Sequence, residues 1–449
     1  MLPLSLLPNS FRLFCDVKLR EEEPEMKPAN QYRQIRGATA TIIFGVLIFY
    51  IMQMAPSSLL PQIKQGLGPE SEVLLNLVVN IVFFFIVIGC LAGSHIEKRW
   101  GTKNMYTLAL FLGGLGLILQ MFCAHTYYLL LIGRSVYGLG FGLHVPFIGS
   151  AIMKWYQGES RETMDAINAL FPFVGTAIAF FTMAPLCTLF QGRWELSLSI
   201  WCLPLYFTMI IWSFFIREKD LPNFGNSDAP DEPGIYRELI RQKELLLLCC
   251  TFICDFICYS YIGVILPTYF FELGGLSSSL SNTLAALAFP AFGILGSVIG
   301  GKLNILFGRR KPILCVGQIG KFIGLVVSCM LYQNGFVYTF FGIALFGFFN
   351  GFWMPAMYCV PMDLDHMSAT KVGASFALMT ACGIGAGFFA PSLGGIFTQM
   401  FLLTSSISDP VLRHADALRQ SLLLFSFTNI LGLICCLSMR ETGKNQKVI

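Results

Sequence analysis

Three ionisable residues lie inside long apolar runs of this chain: Arg134, Asp255 and Lys321. A charge inside hydrocarbon costs free energy, so each of these side chains must face protein or a water-filled space. Asp255 lies about 11 residues into its run, about 16 Å along a helix that rises about 1.5 Å per residue, and therefore near the middle of a bilayer. A carboxylate at that depth could load and release a proton, or it could be a neutral Asp in a helix–helix hydrogen bond.

Lys321 and Arg134 each leave two interpretations open. Lys321 lies about nine residues into its own run, at a similar depth, and could pair with Asp255 or with another polar group. Arg134 opens the stretch Arg-Ser-Val-Tyr-Gly-Leu-Gly-Phe-Gly at 134–142. It either takes part in the chemistry of the protein or donates hydrogen bonds to backbone carbonyls of a neighbouring helix.

The runs that hold these residues belong to a chain whose solvent must be lipid. Of its 449 residues, 55% are hydrophobic and 12% are charged, and the mean hydropathy is +0.66. Soluble domains carry about twice that charged fraction, so this many apolar residues exceed what one soluble core can bury. The sequence therefore predicts an all-α membrane protein.

Net charge and cysteine usage argue against several other classes. The net charge is +4 and the basic residues sit in short loops, which fits membrane topology rather than nucleic-acid binding. Most of the 15 cysteines lie inside apolar runs, where a thiol is a small core residue. No CxxC pair with a second ligand pair occurs, so we expect neither a metal site nor a cofactor.

Twelve apolar runs are long enough to cross a membrane as helices, for which about 20 residues are needed. The predicted spans are 37–60, 72–94, 104–123, 127–152, 165–190, 195–216, 245–271, 279–301, 312–332, 335–361, 372–401 and 415–438.

Lys and Arg predict the orientation of these spans, because they are concentrated in cytoplasmic loops. Most of the basic connections fall on one side, which places both termini in the cytoplasm. The segment 217–244 is the only long connection on that side, and its Pro, Gly, Asn and Asp residues predict a linker. We therefore expect five parts: a cytoplasmic N-terminal tail (1–36), a six-helix half (37–216), a cytoplasmic linker (217–244), a second six-helix half (245–438) and a cytoplasmic C-terminal tail (439–449).

Two short basic stretches predict matching turns in the two halves. The stretch 301–311 joins the eighth and ninth runs, and the stretch 93–103 joins the second and third. We interpret each as a basic hairpin loop, in which glycine lets the chain reverse and the cations hold the loop outside the hydrocarbon. Their separation is 301 − 93 = 208 residues, and GLHVP at 142–146 is echoed by GFWMP at 351–355. The sequence therefore indicates an internal duplication.

These stretches resemble the signature of the major facilitator superfamily, G-x-L-x-D-R-x-G-R-R between the second and third helices with a weaker copy between the eighth and ninth. The second stretch keeps five residues of the signature, namely Gly301, Leu303, Gly308, Arg309 and Arg310. It lacks the acidic residue. The first stretch keeps Gly93 and Gly101, with an approximate charge cluster that includes Arg99. The resemblance implies twelve helices in two pseudo-repeats and a gating role for both stretches.

The resemblance also implies a substrate site between the halves near the bilayer midplane, on the first, fourth, seventh and tenth helices. The candidates on these helices, besides Arg134 and Asp255, are uncharged polar or aromatic: His144, Tyr259, Asn350 and Trp353, with Tyr50, Gln53, Tyr261 and Tyr358 nearby. Arg134 matches the arginine of the superfamily's R-x-x-x-G-x-G motif, which is associated with proton coupling in proton-driven members. The ninth helix, which carries Lys321, is usually a supporting helix.

We expect from this resemblance a secondary transporter that works by alternating access and couples to protons. Two mid-membrane cations against one anion favour uptake of a small polar metabolite, such as an organic anion or an amino acid. Proton-driven efflux of amphipathic compounds and a non-transporting sensor on the same fold are two competing hypotheses. No G-x-x-x-x-G-K-[ST] motif occurs, which argues against a primary pump, and no nucleophile–base set indicates an enzyme. The expected partners are the lipid bilayer, a small-molecule substrate and protons, without nucleic acid, for a monomer in the cell (inner) membrane.

Overall fold

The computed structural model describes residues 29–68, 72–123, 126–156, 158–217, 235–365 and 367–443. Within these ranges the chain forms helices joined by short turns, and no strand occurs. The all-α prediction is therefore confirmed. The far N-terminal residues 1–28, most of the predicted linker (218–234) and the last six residues (444–449) lie outside the described ranges.

Twelve helical segments in the described chain match the twelve predicted spans. They are α1 (Ala29–Met54, a 3-10 turn Ala55–Leu59, then Leu60–Leu67), α2 and α3 (Glu72–Gln120, divided at Gly101), α4 (Tyr127–Trp155), α5 (Gly158–Leu189), α6 (Trp194–Ser199, then Cys202–Phe215), α7 (Lys243–Gly274), α8 (Ser278–Ala286, a π-turn Leu287–Ala291, then Phe292–Phe307), α9 (Lys311–Met330), α10 (Phe336–Asp363), α11 (Ala369–Thr404) and α12 (Pro410–Ser426, then Thr428–Ser438).

Eleven of these described segments are long and apolar enough by composition to cross a membrane. The remaining one, α3, has polar ends, with Lys103 and Asn104 at its start and Gln120 at its last position. Its interior, from Leu108 to Leu119, is apolar apart from glycine. It completes the set of twelve.

The two basic stretches are shorter turns than the sequence predicted. Helix α2 continues through Trp100, and only Gly101 leaves the helical conformation, at φ 78° and ψ 159°. Helix α8 continues through Phe307 and ends at Gly308, whose φ of 58° is left-handed and whose N–H bonds back to Asn304. The short basic hairpins that the sequence predicted are thus shorter still, because Lys and Arg are good helix formers. A helix can therefore carry them beyond the hydrocarbon, until a glycine reverses the chain.

Glycines pack the helices of the two halves in the same way. In the first half, a Cβ at Gly133 of α4 would lie 2.9 Å from the carbonyl oxygen of Gly116 in α3. In the second half, a Cβ at Gly342 of α10 would lie 2.7 Å from the carbonyl oxygen of Gly324 in α9. The two crossing points are 342 − 133 = 209 residues apart, as are the echoed motifs at 142 and 351. Backbones can approach this closely only where a side chain is missing.

The connections from each even-numbered helix to the next odd-numbered helix include α2–α3 and α8–α9, which carry the basic stretches. We call that end of the bundle the basic side. The connections from each odd-numbered helix to the next even-numbered helix lie at the other end of the bundle. Helix α11 packs against α2 and α4, and α8 packs against α5. Asn76 of α2 donates to the carbonyl of Pro391 in α11 at 3.4 Å, and Asn80 bonds to Ser392 at the same distance. These contacts join segments from the first and second parts of the chain.

Candidate functional site

Arg134 is held by backbone carbonyls of two neighbouring helices. Its Nη1 donates to the carbonyl of Met52 at 2.6 Å and its Nη2 to that of Gln53 at 2.8 Å, both in α1. Its Nε donates to the carbonyl of Val78 in α2 at 3.1 Å. Pro56, four residues after Met52, has no N–H, so the carbonyl of Met52 lacks its helical partner. The fully buried guanidinium supplies the missing donor, which is the structural arrangement that the sequence left open.

Asp255 of α7 and Lys321 of α9 form a buried ion pair. Lys321 Nζ donates to Asp255 Oδ1, and both side chains are 0% exposed. Asn350 of α10 donates its Nδ2 to the same Oδ1 at 2.8 Å. The ammonium also lies 4.1 Å from the ring centre of Trp353, within range of a cation–π contact. The structure thus brings four of the predicted site residues together on three helices.

The local sequence of α9 explains how Lys321 reaches this cluster. Gly317, Gly320 and Gly324 form one stripe of α9, and each packs directly on α10. The close approach places Lys321, next to Gly320, level with Asn350 and Trp353. A larger side chain on this stripe would hold the helices apart and lengthen the contact of Lys321 with Asp255.

Several polar atoms of the cluster have no partner among the described residues. They are Asp255 Oδ2, Asn350 Oδ1 and Trp353 Nε1. Buried polar atoms are generally hydrogen-bonded to protein or to ordered water. The second carboxylate oxygen of Asp255 can therefore accept a further hydrogen bond or a proton.

A small central cavity of about 40 Å³ lies next to this cluster. Its walls come from α1, α4, α5, α7, α10 and α11. Its polar lining is uncharged and consists of Tyr50, Gln53, Asn168, Tyr259, Tyr358 and Thr380. Of the predicted site residues, Tyr259 lines the cavity, as do Tyr50, Gln53 and Tyr358, which the sequence placed near it. Arg134, His144, Asp255, Lys321, Asn350 and Trp353 are absent from the lining.

Asp255 nevertheless shares helix α7 with part of the cavity wall. Phe252, Phe256 and Tyr259 of α7 line the cavity. At about 100° per residue, Tyr259 lies about 40° around the helix from Asp255 and Phe252 about 60°. A movement of α7 driven by the ion pair would therefore move the cavity wall.

A larger cavity of about 370 Å³, here called the vestibule, lies at the end of the bundle opposite the basic side. It is bounded by the ends of α1, α7 and α11 and by the starts of α2 and α12. Lys64, Glu272 and His414 line it, and His414 Nδ1 lies 2.6 Å from Glu272 Oε2. Sequence reasoning missed this cavity, because polar residues at helix ends look like ordinary solvated termini.

His144 lies in the core of the first half, away from both cavities. Its ring contacts the rings of Phe49, Tyr106 and Phe147. It is 0% exposed, and neither ring nitrogen has a partner among the described residues. The sequence-based expectation that it faces the substrate has no support from this position.

The predicted gating residues differ between the two junctions. Arg310 is buried, with its Nε 2.7 Å from Asp363 Oδ2 and its Nη1 donating to the carbonyl of Asn304 at 3.0 Å. Its backbone N–H donates to Glu441 at 2.7 Å. Arg309 is half-buried, Gly301 is buried in α8, and Gly93 is buried in α2. Arg99, by contrast, is exposed.

The described chain forms twelve helices around a cavity, and both parts of the chain contribute walls to it. This arrangement defines a class, the multi-pass integral membrane proteins with a transporter architecture. The sequence model of the Major Facilitator Superfamily matches residues 42–391. The chain belongs to this superfamily, whose fold is that of transporters rather than enzymes.

Two solved structures show the same fold at low identity. A D-xylose–proton symporter superposes with a TM-score of 0.70 at 15% identity, covering 92% of this chain and 99% of the symporter. A bacterial homologue of the human lysosomal transporter Spinster, in an inward-facing and unoccupied conformation, gives 0.69 at 16% identity, covering 92% and 97%.

Two curated relatives are similar in sequence. A low-affinity glucose transporter of Kluyveromyces lactis is 26% identical over 138 residues, which span 28% of this chain and only 24% of that protein. A probable chloroplastic anion transporter 2 of Oryza sativa subsp. japonica is 21% identical over 369 residues, or 75% of this chain and 67% of that protein.

Proposed function

We propose that this chain is a secondary transporter that takes up a small polar solute by alternating access and couples it to protons at Asp255. The observation that carries the proposal is the buried Asp255–Lys321 pair. Asp255 lies on α7, and neighbouring residues of the same helix line the cavity between the two parts of the chain. Membership of the Major Facilitator Superfamily supports the transport activity.

Coupling follows from the chemistry of the pair. With Asp255 ionised, Lys321 has a counterion and α7 is tied to α9. A proton on Asp255 neutralises the carboxylate, removes the ion pair and leaves the buried ammonium with Trp353 and uncharged partners. Since one unpaired charge in a low-dielectric interior is costly, each protonation state favours a different packing of α7 against α9. That difference drives the rocking of the halves.

The lining of the central cavity favours a solute without net charge. Tyr50, Gln53, Asn168 and Thr380 offer hydroxyl and amide groups, which suit a hydroxyl-rich metabolite, and aromatic rings offer flat apolar surface. The expectation of an organic anion or an amino acid depended on two mid-membrane cations against one anion. That support is removed, because Arg134 is satisfied by carbonyls and Lys321 by Asp255. The sugar transporters among the relatives agree with a neutral solute.

An organic anion is the second candidate substrate, because Lys64 and His414 line the vestibule and one relative is a probable anion transporter. Two alternative functions also stay open. One is efflux of amphipathic compounds, and the other is that of a non-transporting sensor.

The remaining parts of the proposal concern topology. Both termini and the linker 217–244 lie in the cytoplasm, the halves are 37–216 and 245–438, and the protein is a monomer in the cell membrane. The vestibule then faces the outside. Cysteines introduced within 222–232 should react with a membrane-impermeant maleimide only after the cells are opened. Labelling in intact cells would contradict this orientation.

Thermal-shift measurements on the purified protein test the substrate class. A ligand that binds only the folded state raises the unfolding temperature. We expect stabilisation by neutral sugars or polyols, and then uptake of the same compound into proteoliposomes that is faster with an inward proton gradient. Stabilisation by organic anions alone would favour the second candidate, and by hydrophobic cations alone would favour efflux. No stabilising compound and no flux would favour the sensor.

A further inference from the structure

Three groups of buried polar side chains lie between the vestibule and Asp255, outside the lining of the central cavity. We call them together the polar seam. The seam lies where α7 packs against α11 and α12, and where α12 packs against α9. Its members are at most 2% exposed and are Tyr261, Thr398, Ser421, Cys258, Asn429 and Gln318.

The outer end of the seam opens into the vestibule. Tyr261 of α7 and Thr398 of α11 both line that cavity. Their hydroxyl oxygens are 3.3 Å apart, and Thr398 Oγ1 is 3.1 Å from Ser421 Oγ of α12. Thr398 Oγ1 also donates to the carbonyl of Gly394 at 2.8 Å. Because a hydroxyl can both donate and accept, Thr398 can pass a proton along the three groups once its hydroxyl turns away from that carbonyl.

The middle of the seam lies one helical turn further from the vestibule. Cys258 of α7 is 3.3 Å from the hydroxyl of Thr428, and Asn429 Nδ2 donates to Cys258 Sγ at 3.4 Å. The other amide atom, Asn429 Oδ1, has no partner among the described residues. Tyr261 and Asp255 are six residues apart on α7, about 9 Å along the helix axis.

The inner end of the seam adjoins the ion pair. Gln318 lies one turn before Lys321 on α9 and packs its amide against Gly432 of α12. Neither its Oε1 nor its Nε2 has a partner in the described part of the chain, and the same is true of Asp255 Oδ2. Buried polar atoms of this kind bond to ordered water. Four such atoms between α7, α9 and α12 suit a chain of water molecules.

We propose that protons reach Asp255 from the vestibule along the polar seam, while the solute occupies the separate central cavity. The proposal rests on the proton coupling proposed above. A hydronium ion in the vestibule gives its proton to the Tyr261–Thr398–Ser421 hydroxyls, each of which accepts one proton and donates another. The water chain beside Asn429 and Gln318 carries a proton over the remaining distance, and Asp255 Oδ2 takes it. The carboxylate becomes a neutral acid, and the ion pair with Lys321 is lost.

The surroundings of Asp255 distinguish this route from one through the cavity. The charged group packed against it is Lys321 of α9. Its ionisable but uncharged neighbours are Cys254, Cys258 and Tyr259 on α7 and Tyr358 on α10. On the cavity side, α7 presents the rings of Phe252 and Phe256, which cannot relay a proton, and the hydroxyl of Tyr259, so a route from the cavity would depend on that tyrosine.

The test is the rate at which Asp255 gains a proton, which requires no substrate. Full-length protein in lipid nanodiscs is subjected to a rapid drop in pH, and the carboxylic-acid infrared band is followed over time. The band that is missing in Asp255→Asn belongs to Asp255. In Thr398→Val combined with Ser421→Ala, we expect this band to appear about tenfold more slowly and to reach the same amplitude, because a hydroxyl relay worth about 1.4 kcal/mol is removed.

Two further variants separate the routes. Thr208→Val is the matched control, since Thr208 is a buried hydroxyl of α6 that bonds to the Pro204 carbonyl at 2.8 Å, outside the seam. Thr176→Val removes a buried hydroxyl of α5 that bonds to the Pro172 carbonyl at 2.7 Å, and Pro172 lines the central cavity. If the double variant does not fold, Tyr261→Phe replaces it with the same expected slowing.

If the Asp255 band appears more slowly in the seam variants but not in Thr176→Val or Thr208→Val, the result supports the seam. Wild-type rates in the seam variants overturn the seam and leave the role of Asp255 standing, and slowing by Thr176→Val alone would place the route in the cavity. If Asp255 shows no band at any pH, both the seam and the proton coupling at Asp255 are refuted.

Discussion

The two halves of the molecule satisfy a buried cation in opposite ways. In the first half, Arg134 donates to three backbone carbonyls of α1 and α2. In the second half, Lys321 pairs with the carboxylate of Asp255. Backbone carbonyls do not titrate, whereas a carboxylate does. Arg134 is therefore held by groups that cannot change their charge, whereas the partner of Lys321 can, and this difference supports the proposed switch at Asp255.

The largest expected effect concerns the ion pair. Lys321→Met leaves the carboxylate of Asp255 buried without its cation, and removal of one partner of a buried pair costs about 3–5 kcal/mol. We expect a large drop in the unfolding midpoint at neutral pH. The double variant Lys321→Met with Asp255→Asn should recover most of that loss, because no unpaired charge is left. A Lys321→Met protein as stable as the wild type would contradict the claim that Lys321 and Asp255 satisfy each other's buried charge.

The next effect concerns Arg134. Lysine keeps the charge but not the planar fork that reaches three carbonyls, so Arg134→Lys loses at least one charged hydrogen bond, worth about 1.5–3 kcal/mol. We expect this loss of stability at every pH from about 5 to 8, because the carbonyls that Arg134 binds do not titrate, although the buried lysine itself can lose its proton there. Unfolding curves at several pH values measure it. A lysine variant as stable as the wild type would mean that the carbonyl contacts of Arg134 contribute nothing to stability.

A third prediction tests the shared packing. A Cβ at Gly133 or at Gly342 would meet backbone atoms of the facing helix, so Gly133→Ala and Gly342→Ala should each cost about 1–3 kcal/mol through overpacking. Gly385→Ala is the matched control, because its Cβ would lie 3.8 Å from Val87, an ordinary contact. Strongly unequal losses at 133 and 342 would show that the halves are not packed alike.

The last comparison concerns the two basic junctions, where one of the two variants should have no effect. Arg310 is buried against Asp363 and the Asn304 carbonyl, so Arg310→Gln should lower stability by about 1–3 kcal/mol by leaving buried acceptors unsatisfied. Arg99 is exposed, so Arg99→Gln should leave the unfolding midpoint unchanged. Equal effects in the two variants would remove the asymmetry between the junctions.

Much of the fold was predictable, because a helix that crosses hydrocarbon needs a long apolar run and such runs are visible in the sequence. The contact of Lys321 with Asp255 was foreseen as one possibility, since two opposite charges at one depth favour pairing. The role of Arg134 was not decidable, because the carbonyl that Pro56 leaves without a partner meets Arg134 only in the folded bundle. Asn168 and Thr380 were missed for a related reason, since the sequence does not tell which face of α5 or α11 lines a cavity.

The most direct test of the central claim, that the second half holds the proton switch, is uptake by Asp255→Asn. Wild type and variant are reconstituted in proteoliposomes, and uptake of the solute found by thermal shift is measured with and without an imposed pH gradient. We predict that Asp255→Asn loses gradient-driven accumulation but keeps exchange of solute across the membrane, because Asn cannot take up a proton while every residue that lines the central cavity is retained. Full gradient-driven accumulation by Asp255→Asn would contradict the claim.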